Sequence, residues 1–395
     1  MVISDRFQGI ATSPTLAIDA KFKQMKADGM DVVGFGAGEP DFDTPQHIKD
    51  AAIGAICDGF TKYTPASGTM ELKKAVCAKM QRDNGLTYAP GDIVISNGAK
   101  HSLVNVFGAI LNPGDEVIIP APFWVSYPEM VKINFGVPVV LQTAEENNFK
   151  FSIEELRAAI TPKTRAIVIN SPSNPTGMIY TAEELKAIAE LAVEKDLYVV
   201  SDEIYEHLTY EGIPVSIASF GEEIKKRTII VNGVSKTYAM TGWRIGYTAS
   251  APEIARAMSN VQSHATSNPN SIAQVAAVAA LDGPQDEVPK MRAAFKERRD
   301  YMVERINAID GVSCLEPHGA FYVMMNMKDL IGKELYGHTI TGSDDFADLF
   351  LEKQLVAVVP GSGFMAEGYV RWSYATSMDN IKRGLDRLEA FLKGE

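Results

Sequence analysis

Cysteine is scarce in this chain of 395 residues: Cys57, Cys77 and Cys314 are all it has, and no C-x-x-C pair occurs. That is too few for a disulfide framework and points to a reducing compartment, so a cytoplasmic location is expected. An excess of basic residues is absent too. The 38 Lys and Arg stand against 50 Asp and Glu, a formal net charge of −12. This argues against a uniformly basic nucleic-acid surface, while a local basic pocket for a small anion stays open. Long apolar runs are missing as well. The uncharged stretch 258–281 is broken by Ser, Asn, Gln, His and Pro269, which disqualifies it as a membrane span. The opening M-V-I-S-D-R-F-Q has no apolar core before a small-residue cleavage site. The expectation is a soluble protein with neither nucleic-acid nor membrane partners.

Several motifs are also lacking. Neither G-x-x-x-x-G-K-[ST] nor G-x-S-x-G occurs, which weakens P-loop and serine-hydrolase readings. G-F-G-A-G-E (34–39) nearly matches a dinucleotide fingerprint, but Glu39 stands where the third glycine belongs, and Pro40 and Pro45 block the helix that should follow. In D-E-I-Y-E-H (202–207) a helix would set Glu203 and His207 on one face. With no other His or Cys cluster in support, solvated carboxylates and a surface His are expected there, and no metal site.

What is present reads as an ordinary globular chain, 46% apolar and 22% charged, long enough for two or three domains. I-V-I-S (93–96), E-V-I-I-P (116–120), R-A-I-V-I-N (165–170), L-Y-V-V-S-D (197–202) and R-T-I-I-V-N (227–232) are strand-like. The last three are nearly continuous apolar runs, which suits a parallel sheet covered on both faces. T-A-E-E from Thr181 predicts a capping box with Glu184 and a helix between two of them. This alternation predicts an α/β fold with a mostly parallel sheet. The ends differ. An amphipathic segment lies around 16–27, and after D-G-P-Q-D-E-V-P (282–289) come a charged helix (290–307) and strand-like F-Y-V-M-M (321–325), V-A-V-V-P (356–360) and Y-V-R-W-S-Y (369–374). A last helix from Asp379 carries Ile381, Leu385, Leu388 and Leu392 on one face. The expected plan is a first segment 1–45, a large domain 46–285 and a smaller unit 286–395 completed by the first segment.

Four short motifs carry chemistry. S-N-P-T-G (173–177) follows one strand; Asp202 ends another, with Tyr205 just beyond. Ligands of open α/β sheets bind outside such carboxyl ends. S-K-T-Y-A-M-T-G-W-R-I-G (235–246) follows a third strand, and Arg371 sits inside an apolar strand, where an arginine needs an anionic partner.

Each alone has an ordinary reading as a turn, a helix cap or a surface charge. Their joint order does not. N-P-x-G, S-D-E-x-Y, S-K-x-x-x-x-x-G-x-R and a late R-x-S-Y together resemble the class I aminotransferases of fold type I, which depend on pyridoxal 5′-phosphate (PLP). The resemblance runs through A-G-E-P-D-F-D-T-P (37–45), K-Y-T-P-A-S-G (62–68), S-N-G-A-K (96–100) and P-F-W-V-S-Y-P (122–128), and is similar in detail to the 1β subgroup of aspartate aminotransferases, some of which act on prephenate. It implies a large PLP-binding domain with a mostly parallel sheet flanked by helices, and a smaller α+β domain formed by both chain ends.

The resemblance makes Lys236 the lysine that carries PLP as a Schiff base and Asp202 the partner of the pyridine nitrogen. It places Tyr205 and Asn174 at the 3′-oxygen and Trp124 against the ring. Gly98, Ala99 and Lys100 fall where a strand turns into a helix, a natural anion site. Ser235 and Arg244 add side-chain donors there, and Tyr63 reaches the phosphate of a neighbouring subunit, which implies a homodimer with shared sites. Arg371 takes the substrate α-carboxylate, helped by Gly38, Asn174 and Trp124. Lys100, with Thr15 close by, takes the distal carboxylate of a dicarboxylic substrate. The activity so implied is transfer of the amino group of aspartate to 2-oxoglutarate by a ping-pong cycle. The alternatives are a prephenate/arogenate or aromatic aminotransferase, a β-lyase, or a PLP-binding regulatory module without turnover.

Overall fold

Seven strands form the central sheet: β1 (Ile93–Ser96), β2 (Glu116–Ala121), β3 (Val137–Gln142), β4 (Thr164–Asn170), β5 (Tyr198–Asp202), β6 (Thr228–Gly233) and β7 (Gly246–Ala249). The computed structural model describes residues 9, 10 and 14–395, the side chains of 14–17 and 19 excepted. Their order across the sheet is β1-β7-β6-β5-β4-β2-β3. Strands β6, β5, β4, β2 and β3 pair in parallel, and β7 alone runs against its neighbours β6 and β1. The apolar β4, β5 and β6 are buried almost throughout, as strands covered on both faces must be.

Helices cover both faces. Ala99–Ile110 and Pro252–Ala265 pack on one side through Leu103, Val106, Phe107 and Met258, and Ala182–Glu194 covers the other through Leu185, Ile188 and Ala192. The Thr181 hydroxyl accepts from Glu184 N while Glu184 caps Thr181 N, the reciprocal box expected from the sequence.

Register decides what the sheet presents. Asn170 pairs with Asp202 and Asp202 with Val231, so the carboxyl ends of β4 and β5 finish level and β6 runs two residues further. A slip of one residue would turn the Asp202 side chain to the opposite face.

A second sheet is antiparallel: β8 (Ser313–Cys314), β9 (Tyr322–Asn326), β10 (Val359–Pro360) and β11 (Tyr369–Ser373), ordered β10-β11-β9-β8. Its core draws on Val33 and Phe35 together with Phe295, Trp372, Leu385, Leu388 and Phe391, residues from both ends of the sequence. Val33–Gly34 pairs in parallel with Val356–Ala357. The run V-A-V-V-P (356–360) is therefore not one strand. Its halves join different sheets, a switch its unbroken apolar pattern does not encode. In the last helix, Met378–Lys393, Ile381, Leu385 and Leu388 are buried as expected, but Phe391 rather than Leu392 takes the deepest place, stacked on Tyr336. Among the described residues no helix is long and apolar enough to cross a membrane.

Candidate active site

A cavity of about 450 Å³ opens at the carboxyl ends of β4, β5 and β6 and is closed on its far side by β9 and β11. Gly38, Ala99, Lys100, Trp124, Asn174, Asp202, Tyr205, Ser235, Lys236, Arg244 and Arg371 all line it. Of the expected residues, Gly98 lies one step behind the wall. Tyr63 is 93% exposed and does not line its own chain's cavity. The Thr15 side chain lies outside the described residues.

Asp202 ends β5 and is buried. Tyr127 Oη donates to its Oδ2 at 2.7 Å, and Ile204 N to its Oδ1 at 3.2 Å. Burial pushes its carboxyl up to about 6, against the pull of those bonds and of Lys236. Asn170 Nδ2 donates to the Asp202 carbonyl at 2.9 Å, and its Oδ1 accepts from Asn174 N at 2.8 Å, so the S-N-P-T-G turn is tied to β5. Tyr205 follows in an irregular turn, its hydroxyl 3.0 Å from that of Tyr322 on β9.

Lys236 lies beyond β6 in a short loop, its Nζ donating to Gly38 O. Burial lowers its amine to about 8. The charges of Arg244 and Arg371 push the same way, while Glu39 and Asp202 oppose them. An amine of this kind is part unprotonated near neutrality, as a nucleophile or proton carrier must be.

The turn after β1 is built around close approaches. Gly98 has φ +85° and caps the helix Ala99–Ile110, leaving that helix's first N–H groups free. A Cβ at Gly98 would overlap the Arg244 guanidinium, and one at Gly246 would overlap the Gly98–Ala99 backbone. Arg244 Nη1 donates to Thr241 O at 2.8 Å, and no carboxylate among the described residues pairs with it. Helix N–H groups beside an arginine fork form a cradle for an anion.

Arg371, on the central strand β11 and only 2% exposed, donates from Nη1 to Asn174 Oδ1 at 2.9 Å and from Nη2 to Gly36 O at 3.0 Å. Its Nε is buried without a partner. Tyr322 lies beneath it, 4.4 Å from ring centre to guanidinium carbon. A buried guanidinium with neutral neighbours favours a carboxylate as partner. The glycine carbonyl that accepts from Arg371 is that of Gly36, and the Gly38 carbonyl accepts from Lys236. Lys100 Nζ lies 4.9 Å over the Trp124 ring and has no carboxylate partner among the described residues; burial and Arg244 both lower its pKa.

A family model described as aminotransferase class I and II matches residues 30–388. The chain belongs to that family. The aspartate aminotransferase of Geobacillus stearothermophilus is 50% identical to this aminotransferase over 394 residues, 100% of this chain and 99% of its own. An aspartate/prephenate aminotransferase of Nitrosomonas europaea is likewise 50% identical, over 99% of this chain and 100% of its own. Among solved structures, the aspartate aminotransferase of Rhizobium meliloti superposes with a TM-score of 0.96 at 45% identity, covering 100% of this chain and 99% of that one. That of Thermus thermophilus, with maleate, gives 0.94 at 44%, covering 99% and 100%.

Among the cavity residues of this aminotransferase that sequence reasoning missed are Tyr127, Asn170 and Tyr322. Tyr127 lies in the quoted P-F-W-V-S-Y-P, one helical turn past Trp124, and that spacing was the available signal. Asn170 had a weaker one, its place at the carboxyl end of an apolar strand, and Tyr322 had none, since it reaches the site through sheet pairing. A further expectation is overturned. Glu203 and Glu206 are not solvated. Glu203 is buried, accepts from Ser201 Oγ at 2.9 Å and Ser216 Oγ at 2.7 Å, and burial with the neighbouring Glu206 raises it to about 7. Glu206 is buried against Lys79, which is 1% exposed, and against Asn84 and Asn232. Among the described residues no three His, Cys, Asp or Glu side chains converge on a common point as metal ligands.

Proposed function

We propose that this aminotransferase moves the amino group of L-aspartate to 2-oxoglutarate in a ping-pong cycle, using PLP held in the cavity beyond β4–β6. The observation that carries the reading is the joint placement, in one space, of a depressed amine, a buried carboxylate and two arginines with no carboxylate partner among the described residues. The family is PLP-dependent. The residues fit the group: the Gly98–Ala99 turn with Ser235 and Arg244 takes the phosphate, and Asp202 takes the protonated ring nitrogen. Trp124 flanks the ring, and Tyr205 with Asn174 meets its 3′-oxygen. When bound, PLP supplies an aldehyde that condenses with amines and a ring that stores the electron pair released at the substrate's Cα.

The chain's own residues do the rest. Lys236 Nζ anchors the cofactor and then carries the proton to and from the substrate Cα. Arg371 receives the α-carboxylate in place of its present neutral partners, with Asn174 beside it. Lys100 meets the distal carboxylate. Five cationic side chains line the cavity, among them Lys100, Lys236, Arg244 and Arg371, against two carboxylates, Glu39 and Asp202, so the site is basic within an acidic protein. Residues 46–285 form the cofactor unit, and 286–395 with the described part of 1–45 form the smaller unit that closes over the substrate and excludes water.

We also infer a homodimer with shared sites. Tyr63 is exposed and does not line its own cavity, and Ile53, Ile56 and Phe60, shortly before it in the sequence, are exposed apolar side chains that suit a second copy presenting its phosphate to Tyr63. Prephenate/arogenate is the second substrate pair, favoured by the Nitrosomonas europaea relative. A kcat/KM panel of aspartate, arogenate and phenylalanine on wild type and Lys100→Ala tests the assignment. Aspartate should fall about 10- to 100-fold in the variant, the worth of one charge-assisted contact, with phenylalanine unchanged. Equal losses for both would refute the role of Lys100.

A further inference from the structure

Two helices outside the cavity, Pro252–Ala265 and Ser271–Asp282, carry two fully buried glutamines, Gln262 and Gln274. The Gln262 amide is saturated. Its Nε2 donates to Ala66 O at 2.6 Å and to Ile95 O at 2.7 Å, while its Oε1 accepts from Ser96 Oγ at 2.7 Å and from Asn105 Nδ2 at 2.8 Å. A primary amide has two donor hydrogens and two acceptor lone pairs, and all four are used here.

The partners fall into two groups. Ile95 and Ser96 end β1 and Asn105 lies on the helix Ala99–Ile110, so three partners flank the Gly98–Ala99 turn. Ala66 belongs to the K-Y-T-P-A-S-G loop that carries Tyr63. Gln274 fastens the rest of that loop, donating to Thr64 Oγ1 at 3.0 Å and accepting from Thr69 N at 2.8 Å. One backbone bond, Ile95 N to Ser67 O at 3.0 Å, joins the same two pieces. Gly68 has φ +100°, and a Cβ there would overlap Ile95, so the loop lies directly against β1.

We propose that Gln262 is a positioning residue that locks the phosphate turn of its own chain and the Tyr63 loop offered to a neighbouring subunit into one rigid piece, coupling retention of PLP to pairing of subunits. The proposal rests on the reading above, in which Gly98–Ala99 and Tyr63 serve the phosphates of two sites. Deleting the amide leaves the Ala66 and Ile95 carbonyls without their donor and the Ser96 hydroxyl without its acceptor, and Asn105 Nδ2 keeps only its 3.3 Å bond to Ser96 Oγ. Turn and loop then separate to reach water, and both halves of the composite site loosen together. Coupling of this kind is reciprocal, so PLP tightens the dimer by the factor by which dimerisation tightens PLP.

The test measures dissociation constants of the apoenzyme for PLP and for pyridoxal, which lacks the phosphate, together with the dimer dissociation constant by sedimentation with and without PLP. Gln262→Leu should weaken PLP by about tenfold or more, leave pyridoxal within about twofold, and reduce the effect of PLP on dimerisation. Gln262→Glu, which keeps the acceptors for Ser96 and Asn105 and loses both donors, should reproduce the loss of coupling if the leucine variant does not fold. Equal weakening of PLP and pyridoxal, or wild-type coupling in both variants, overturns the proposal. Arg244→Ala separates the two levels. If it leaves the preference for PLP over pyridoxal intact, the phosphate assignment falls and the proposal with it. If it removes that preference while the Gln262 variants behave as wild type, only the coupling is wrong.

Discussion

Replacing Tyr127 with Phe removes one oxygen from the wall of the cavity and keeps the ring that packs edge-on against Trp124 at 5.4 Å. That oxygen donates to Asp202 Oδ2 at 2.7 Å inside a buried site. A hydrogen bond to a charged acceptor contributes about 1.5–3 kcal/mol, or roughly one to two pH units in the acceptor's pKa. Without it, only Ile204 N and the charge of Lys236 oppose the burial that already holds Asp202 at about 6. The carboxyl should therefore titrate at about 7–8 in the variant. At pH 7 its ionised fraction falls from about nine-tenths to between about one-half and one-tenth. The sign follows from the pairing. The protonated ring nitrogen needs a carboxylate, so affinity for PLP is lost as pH falls through the pKa of Asp202. Spectroscopic titration of apoenzyme with PLP between pH 5.5 and 9 should show this loss near pH 6 in wild type and about one to two units higher in Tyr127→Phe. Superimposable pH profiles for the two proteins would refute the role given to both residues.

Lys236→Ala should abolish transamination, and borohydride should no longer fix the cofactor to the chain, although the phosphate cradle still binds it reversibly. Normal turnover in that variant would contradict the assignment outright. Lys79→Met leaves Glu206 as a buried carboxylate without its cation and should cost about 3–5 kcal/mol in urea unfolding. Unchanged stability would mean that Asn84 and Asn232 satisfy Glu206 unaided.

Much of this was readable in the amino-acid order because the chemistry is local. An aspartate ending an apolar strand, a lysine in a glycine- and aromatic-rich turn and an arginine inside an apolar strand each break a local rule, and each lines the cavity. The central strands were legible for the same reason, since burial on both faces leaves a continuous apolar run. Other features depend on pairing between distant segments. Asn170 belongs to the site because its register sets it beside Asp202, and Tyr322 because an antiparallel sheet brings it over Tyr205. The burial of Glu206 requires Lys79, 127 residues away. Nothing in D-E-I-Y-E-H announces that partner, so a solvated turn was the reasonable expectation and the wrong one.

The pairing of Val33–Gly34 with Val356–Ala357 bears on how the protein is made. At a synthesis rate of about 5–20 residues per second, Val33 and Phe35 leave the ribosome about 16–65 s before the strand they lie against. Over that interval the β4–β6 region can assemble, while the apolar residues near the start lack the strand they pair with. The cavity inherits the same delay, because the carbonyls of Gly36 and Gly38 hold Arg371 and Lys236. A nascent chain stalled before residue 371 holds the Gly98–Ala99 turn and Lys236 yet lacks Arg371, the residue proposed to take the substrate carboxylate. Catalytic competence therefore arrives late and all at once, and the early apolar segment is where a chaperone has most to protect.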